Sequence, residues 1–408
     1  MIQLTQEQQM IADAINDFLL DTTKDHLVIQ GVAGSGKSIL LDNVVSYYRQ
    51  NTMPTLNSMG IAYLYPNAIA LTATTNKALS AFDNHISGVY PVTIHSLLKL
   101  FVHTDYKTGE TKLICKEQTF QLNNTIVIVD EYSQINIDLF SHIKKHMKFS
   151  LNNKFIFIGD KAQLSPVNEV TSPVNNLPNH VSTEMTKSYR LKDIPVVAAY
   201  ANQVREFILG RSKTIAPIPQ NDQIVRMGKE AFYADLLDKL RLGNDAKYIS
   251  YTNQDVKTIN KWIRQQVKGT SDYGVGDRVT LTKVGSGMPY RTDAVVEIEA
   301  ISNPTTFKMV DGRWFKFKTS TQSWFVPTRY SDIKKAVVNL TNREAKDLMD
   351  VSCDINYEYA ITSYKSQGAT YDYVYIDVSQ LKIAQKYFWQ HFYVAITRAT
   401  KGVILTGV

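Results

Sequence analysis

The sequence predicts an α/β fold of two parallel-sheet blocks, each interrupted by a β insertion, and three observations predict it. A G-x-x-x-x-G-K-[ST] segment, Gly31-Val32-Ala33-Gly34-Ser35-Gly36-Lys37-Ser38, lies between an apolar run and a helix-like stretch. Short continuous apolar runs recur at 27–30, 69–72, 126–129 and 155–158 and end in polar or small residues, as strands covered on both faces of a parallel sheet do. Strand-like runs alternate with helical ones again in the C-terminal half, at 248–251, 357–362, 373–378 and 403–406. A chain of 408 residues holds roughly two to four structural units rather than one core.

The first apolar run feeds a loop built for phosphate. Its glycines let the backbone curl so that successive N–H groups point at phosphate oxygens. Lys37 then reaches the β- and γ-phosphates, and the Ser38 hydroxyl ligates Mg²⁺. A chance match in a chain this long has a probability on the order of one per cent, so the chain is expected to bind a nucleoside triphosphate. The segment 100–122 interrupts the block: Thr108-Gly109 between β-prone flanks predicts a hairpin tip, with Tyr106 and Leu113 nearest to it and Phe101 further down. The next strand ends in Asp130-Glu131. Beside a phosphate loop, Asp130 is placed to hold Mg²⁺, directly or through water, and Glu131 to orient and deprotonate the attacking water. A further strand ends in Gly159-Asp160-Lys161-Ala162-Gln163-Leu164-Ser165-Pro166, where Gln163 is positioned to sense the γ-phosphate; the plain alternative is a polar turn closed by Pro166.

A second block starts near Thr186, with helices expected at 194–209 and 254–268. From 272 to 330 the pattern is all-β: 278–282 and 295–299 alternate, and 306–318 is split by Asp311-Gly312, a hairpin signal. A small barrel inserted into the second block follows. Its aromatics, Trp314, Phe315, Phe317, Trp324 and Phe325, read as barrel core in preference to base-stacking surfaces. The stretch 332–350 reads as a solvated helix without a function.

Composition sets bounds. Hydrophobic residues are 44% and charged residues 20%, as in a soluble globular chain. No apolar run approaches the ~18 residues of a spanning helix, and the N-terminus shows no basic stretch followed by an apolar one. Cys115 and Cys353 are too few for a disulfide framework or a zinc cluster, so a reducing, cytoplasmic compartment is expected. The net charge of +7 suits a polyanion partner.

The order of these motifs resembles superfamily 1 DNA helicases of subfamily B, in the Dda/RecD-like branch. Leu4-Thr5-Gln6-Glu7-Gln8 resembles the glutamine motif, Gly31–Ser38 motif I, and Leu71-Thr72-Ala73-Thr74-Thr75-Asn76-Lys77-Ala78 motif Ia. Thr93-Ile94-His95-Ser96 resembles the Thr-x-His-Ser motif, Asp130-Glu131-Tyr132-Ser133 motif II, and Gly159–Leu164 motif III. Lys187-Ser188-Tyr189-Arg190, Thr362-Ser363-Tyr364-Lys365-Ser366-Gln367-Gly368 and Tyr393-Val394-Ala395-Ile396-Thr397-Arg398-Ala399 resemble the later motifs. Tyr132 stands where a small or apolar residue is more familiar.

The resemblance implies two RecA-like P-loop domains: a first at 1–98 and 123–185 with a β-hairpin pin at 99–122, and a second at 186–270 and 351–408 with an SH3-like barrel at 271–350. It implies that Gln8 hydrogen-bonds adenine, that Gly34, Ser35, Gly36, Gln367 and Gly368 border the nucleotide, and that Arg190 and Arg398 reach the γ-phosphate from the second block. Thr72, Thr74, Asn76, Lys77, Thr93, His95 and Ser96 in the first block, with Ser363, Lys365 and Ser366 in the second, would hold a strand. Short polar donors to phosphate fix register without reading sequence. Tyr106 and Leu113 would split the duplex. The activity implied is ATP-driven walking on single-stranded DNA, 5′ to 3′, with duplex unwinding. The partners implied are single-stranded and tailed duplex DNA and replication or recombination proteins, for a monomeric motor in the cytoplasm of a bacterial or phage-infected cell. The rivals are a helicase of opposite polarity or acting on RNA, and an ATP-gated nucleic-acid binder that remodels complexes without unwinding.

Overall fold

The structure, a computed structural model, describes residues 3–80, 89, 91–104, 111–117, 120–148 and 152–408. Its N-terminal part contains β1 (His26–Gln30), β2 (Ala68–Ala73), β3 (Val92–Thr93), β4 (Leu100–Thr104), β5 (Thr111–Cys115), β6 (Thr125–Asp130) and β7 (Lys154–Gly159). Five of these form a parallel sheet in the order β1-β7-β6-β2-β3. β1, β6 and β7 are buried along their whole length, so both faces of each must be apolar. Alternation divides β6 between two cores. Ile126 and Ile128 meet Ile11, Ile15, Leu40 and Leu41 of the helices Gln6–Leu20 and Lys37–Tyr47. Val127 and Val129 meet Leu139, Phe140 and Ile143 of the helix Ile137–Lys148. The carboxyl ends of β1, β7, β6 and β2 therefore lie side by side, and the functional loops leave from them.

β4 and β5 pair antiparallel from Leu100↔Cys115 to Thr104↔Thr111. Tyr106 and Thr108-Gly109 lie outside the described residues. Leu113, expected at the wedge, is instead half-buried against the core around Leu139 and Phe140. The cause is strand parity: Leu100, Leu113 and Cys115 share the inward face, and the cross-strand pair Phe101 and Ile114 faces out at 36% and 39% exposure.

The C-terminal part contains β8 (Ile224–Arg226), β9 (Ala246–Ser250), β10 (Arg278–Lys283), β11 (Val295–Ile301), β12 (Thr305–Phe307), β13 (Val310–Phe317), β14 (Ser323–Pro327), β15 (Asp354–Tyr357), β16 (Ala360–Thr362), β17 (Tyr371–Asp377) and β18 (Ala399–Thr406). A second parallel sheet has the order β16-β9-β17-β18-β8. Between its strands stands an antiparallel sheet, β12-β13-β11-β10-β15, with β14 on β13. β15 pairs with β10, so the insertion ends beyond residue 350, the end expected from the sequence.

The hairpin turn is not at Asp311-Gly312. Phe307 pairs Val310, and Lys308 and Met309 form the two-residue turn with φ of 45° and 65°. Asp311-Gly312 continues β13, and the glycine answers a different need. A Cβ there would stand 2.4 Å from the Val326 carbonyl oxygen of β14. Gly312→Ala is expected to cost about 1–3 kcal/mol, as overpacking against backbone does, measurable as a lowered urea midpoint; an unchanged midpoint would show that β13 and β14 part freely.

Phe315, Phe317, Trp324 and Phe325 are buried at 3% exposure or less, as core of the insertion. Trp314 is half-buried against Phe307 and Phe325. The stretch read as solvated forms two helices, Ser331–Val337 and Asn342–Val351, the second started by a Thr341–Glu344 capping box. Their apolar stripe, Ile333, Ala336 and Leu348, packs on Val310 and Phe325, so they close one end of the insertion.

Candidate active site at the seam between the two sheets

β1 runs straight into the glycine loop and the helix Lys37–Tyr47. Gly34 and Gly36 adopt φ of 75° and 80°, which an L side chain resists. A Cβ on Gly34 would also meet Arg190 Cβ at 2.5 Å. The Lys37 ammonium donates to the carbonyl oxygens of Gly31 and Val32, both at 3.2 Å. Phosphate oxygens would replace those two acceptors. Gln8 is buried beside the loop: its Nε2 donates to Ser35 O at 3.2 Å and its Oε1 accepts from Thr5 N at 3.0 Å. Each end of the amide makes one hydrogen bond, so Gln8 braces the loop and keeps a second N–H and a second lone pair for a ligand.

Arg190 does not arrive with the second sheet. Its segment is pinned to the glycine loop: Tyr189 N donates to Gly34 O at 2.8 Å and Ser188 Oγ to Ala33 O at 2.7 Å. The Arg190 side chain then reaches across, Nη1 donating to Thr397 O at 3.3 Å. Arg398, 1% exposed, comes from the second body, held by Val394 O and Thr397 Oγ1, each at 3.0 Å. Burial lowers both guanidiniums from their ordinary value; Arg398 lowers Arg190 further, while the Glu131 carboxylate raises each. Both stay cationic at neutral pH. Two cations and one carboxylate thus meet at a seam that an anion would complete.

Asp130 and Glu131 end β6. Asp130 Oδ1 and Glu131 Oε2 are buried without a hydrogen-bond partner among the described residues, which is costly unless a ligand satisfies them. Burial and the Glu131 charge raise the Asp130 pKa, opposed by Lys37. Glu131 sits at φ 52°, ψ 43°, a left-handed conformation uncommon for a side-chain-bearing residue. Asp130, Glu131, Ser38, Lys37, Arg190, Gly368 and Arg398 line one continuous cleft of about 2110 Å³. The donor set fits Mg²⁺, a hard cation held by one or two protein oxygens plus substrate phosphate; Ser38 and Asp130 would hold it. Tyr132, the unfamiliar residue after the acids, is fully buried, accepts from Gln30 Nε2 and donates to Asn175 Oδ1 at 3.2 Å. It ties β1 to β6 and leaves the acids untouched.

Gln163 is 1% exposed, and its Oε1 accepts from Gln367 Nε2 at 3.1 Å. Gln367 thus contacts the third motif of the first body. Of the residues expected along a strand, three are placed otherwise. Thr72 is fully buried and donates to Ile128 O at 2.8 Å. Ser363 is fully buried at 2.7 Å from His391 Nδ1, and Ser366, equally buried, donates to Ser363 O at 2.8 Å. These hydroxyls hold backbone and core, so they are withdrawn from the strand site.

Thr74 and Asn76 are half-buried at the end of β2, and Lys365 is half-buried opposite them. Asn76 Nδ2 donates to Thr292 O of the insertion at 3.4 Å, and Lys365 pairs with Asp293 at 3.0 Å. Asn76, Lys365 and Asp293 border the same cleft. The Lys77 side chain lies outside the described residues. Thr93 caps the short helix Ile94–Leu97, accepting from Ser96 N at 3.1 Å, and Ser96 is exposed. His95 is half-buried, with its pKa lowered by burial and by His142. Sequence reasoning missed Gln134, Asp293 and the buried joint in which Asp160 accepts from Tyr393 OH at 2.6 Å and Arg205 Nε at 3.2 Å. No spacing marks Gln134 or Asp293, and Arg205 stands among Asn202, Gln203 and Glu206 in its helix, so nothing in the sequence sets it apart.

Residues 16–169 match the family described as AAA domain, and residues 357–406 that described as UvrD-like helicase C-terminal domain. An uncharacterised protein of Acanthamoeba polyphaga mimivirus is 21% identical over 92% of this chain and 93% of its own length. The ATP-dependent DNA helicase Pif1 of Campylobacter jejuni is 30% identical over 35% of this chain and 29% of its own. The fold is similar to Pif1 helicase from Bacteroides in complex with ADP-AlF3 and ssDNA (TM-score 0.55, 17% identity, 99% of this chain and 92% of that one). It is also similar to Pif1 helicase from Candida albicans (TM-score 0.54, 15% identity, 100% and 95%). The two parallel sheets are thus RecA-like domains. Among the described residues, no helix is long and apolar enough to cross a membrane.

Proposed function

We propose that the chain is an ATP-hydrolysing DNA helicase of superfamily 1, in the Pif1- and Dda-like branch, that walks 5′ to 3′ on single-stranded DNA and opens a forked duplex. The observation that carries the reading is the convergence of Arg190, Arg398 and Glu131 at a seam whose other wall is the phosphate loop. ATP bound there touches both bodies, so loss of the γ-phosphate changes how they sit together. Lys37 holds the β- and γ-phosphates, Glu131 takes the proton of the attacking water, and the two arginines neutralise the charge that develops. Ser38 and Asp130 would hold Mg²⁺, which would neutralise charge on the phosphate oxygens. The strand lies over Thr74, Asn76 and Ser96 of the first body and Lys365 of the second, with DNA the polyanion that the net charge suits. The exposed Phe101–Ile114 pair forms the apolar face against the last base pair, where unstacking costs a few kcal/mol per step.

Strand displacement with 5′-tailed, 3′-tailed and RNA-containing forks tests this, alongside ATPase with and without poly(dT). The expected result is DNA-stimulated turnover and unwinding from the 5′ tail, with binding that weakens in salt at a log–log slope of about −0.7 per phosphate neutralised. Phe101→Ala combined with Ile114→Ala is expected to leave the stimulation intact and lower unwinding. Unwinding from the 3′ tail alone would overturn the polarity, and stimulated ATPase without unwinding would identify a remodelling translocase.

A further inference from the structure

Four side chains form one hydrogen-bonded line that starts at the proposed strand residue Thr74 and ends in the third motif at Gln163. Thr74 Oγ1 donates to Gln134 Oε1 at 3.0 Å, Gln134 Nε2 donates to Gln367 Oε1, and Gln367 Nε2 donates to Gln163 Oε1 at 3.1 Å. The line ends on Gln163 Nε2, buried and without a partner. It crosses the carboxyl edge of the first sheet: Thr74 follows β2, Gln134 follows β6 and Gln163 follows β7, while Gln367 comes from the second body. The three amides are 9%, 3% and 1% exposed.

We propose that Thr74, Gln134, Gln367 and Gln163 form a relay whose hydrogen-bond direction reports the presence of a strand to the water that attacks ATP. A primary amide offers a donor at one end and an acceptor at the other, so each member dictates the orientation of the next. Only two directions are self-consistent. In the direction the structure records, the Thr74 hydroxyl donates into the line and the buried Gln163 Nε2 is left for a phosphate oxygen of bound ATP to meet. Thr74 has a single hydroxyl proton. Once a strand phosphate accepts it, Thr74 Oγ1 can only accept from Gln134. The amides then turn over in sequence, and Gln163 presents Oε1. A carbonyl oxygen there accepts from the attacking water and orients it for Glu131, the part a glutamine takes in other P-loop enzymes. Because Gln367 belongs to the second body, the line is continuous only while the bodies are together. Gln134 touches neither ligand; it is a positioning residue.

The inference rests on the reading that a strand passes Thr74 and ATP lies at the seam, and two substitutions at Gln134 separate the two. Gln134→Leu cuts the line. DNA stimulation is expected to fall about tenfold, within the usual range of coupling between sites, with unstimulated ATPase and oligo(dT) affinity unchanged. Gln134→Glu places an acceptor at both ends. Thr74 and Gln367 must both donate to it, which fixes Gln163 with Oε1 toward the cleft. Assayed at pH 8, where the introduced carboxylate is ionised, this variant is expected to hydrolyse ATP about tenfold faster than wild type without DNA and to gain little from adding it. A purely structural role would lower both activities in both variants and would not split them. Wild-type-like stimulation in both, or loss of unstimulated ATPase in both, overturns the relay and leaves the helicase reading standing. A wild-type enzyme that poly(dT) does not stimulate overturns the reading beneath it.

Discussion

Arg398→Ala is expected to slow ATP hydrolysis by about 10³–10⁵-fold, the effect of removing an arginine finger, while nucleotide affinity changes little. Charge on the transferring phosphoryl group grows on the way to the transition state, so a cation aimed at it is worth most there. The Arg398 guanidinium is held by Val394 O and Thr397 Oγ1, and a cation fixed in this way needs little reorganisation at the moment of reaction. Arg190→Ala is expected to act in the same direction with a smaller loss. Arg190 is half-buried and tied to the second body by one hydrogen bond, to Thr397 O; its segment rides on the glycine loop. Steady-state ATPase with poly(dT), beside binding of a fluorescent nucleotide, separates kcat from affinity. Lost affinity with intact kcat would make either arginine a ground-state binder.

The parts legible in the sequence were those that chemistry makes redundant. β1, β6 and β7 read as strands because burial on both faces requires unbroken apolar runs. The glycine loop was legible because its backbone at Gly34 and Gly36 excludes most other residues. Hydroxyl residues were not legible in the same way. Thr72, Ser363 and Ser366 stand in motifs beside Thr74 and Lys365, and a donor facing a groove looks the same in sequence as one facing a carbonyl oxygen. In Thr72, alternation along β2 turns the hydroxyl toward Ile128 O. Leu113 was misplaced on parity, since one position along β5 exchanges its inward face for the outward face of Ile114. The turn at Lys308-Met309 carries no glycine or asparagine, the usual marks of φ > 0, and pairing on both sides imposed it. Gln134 was invisible because its role depends on three partners from separate segments.

Glu131→Gln is expected to lower turnover by about 10²–10⁴-fold, the usual worth of a positioned general base, without loss of ATP or single-strand binding. The amide has nearly the shape of the carboxylate, so the left-handed turn that aims it and the packing around it survive. What it loses is the lone pair that accepts a proton, together with a negative charge facing Arg190 and Arg398. Losing that charge relieves one orphaned buried carboxylate oxygen and leaves both cations to the γ-phosphate, so ATP affinity is expected to hold or rise. Lys37→Ala provides the contrast, because there the phosphates lose their point charge and both binding and turnover fall. Single-strand affinity is expected to survive both substitutions, since neither side chain is among the proposed strand residues Thr74, Asn76 and Lys365. Rapid-quench hydrolysis of pre-bound ATP, with oligo(dT) titrations, reads these separately. A Glu131→Gln enzyme turning over near the wild-type rate would remove Glu131 as the base and leave its strained backbone without a catalytic reason.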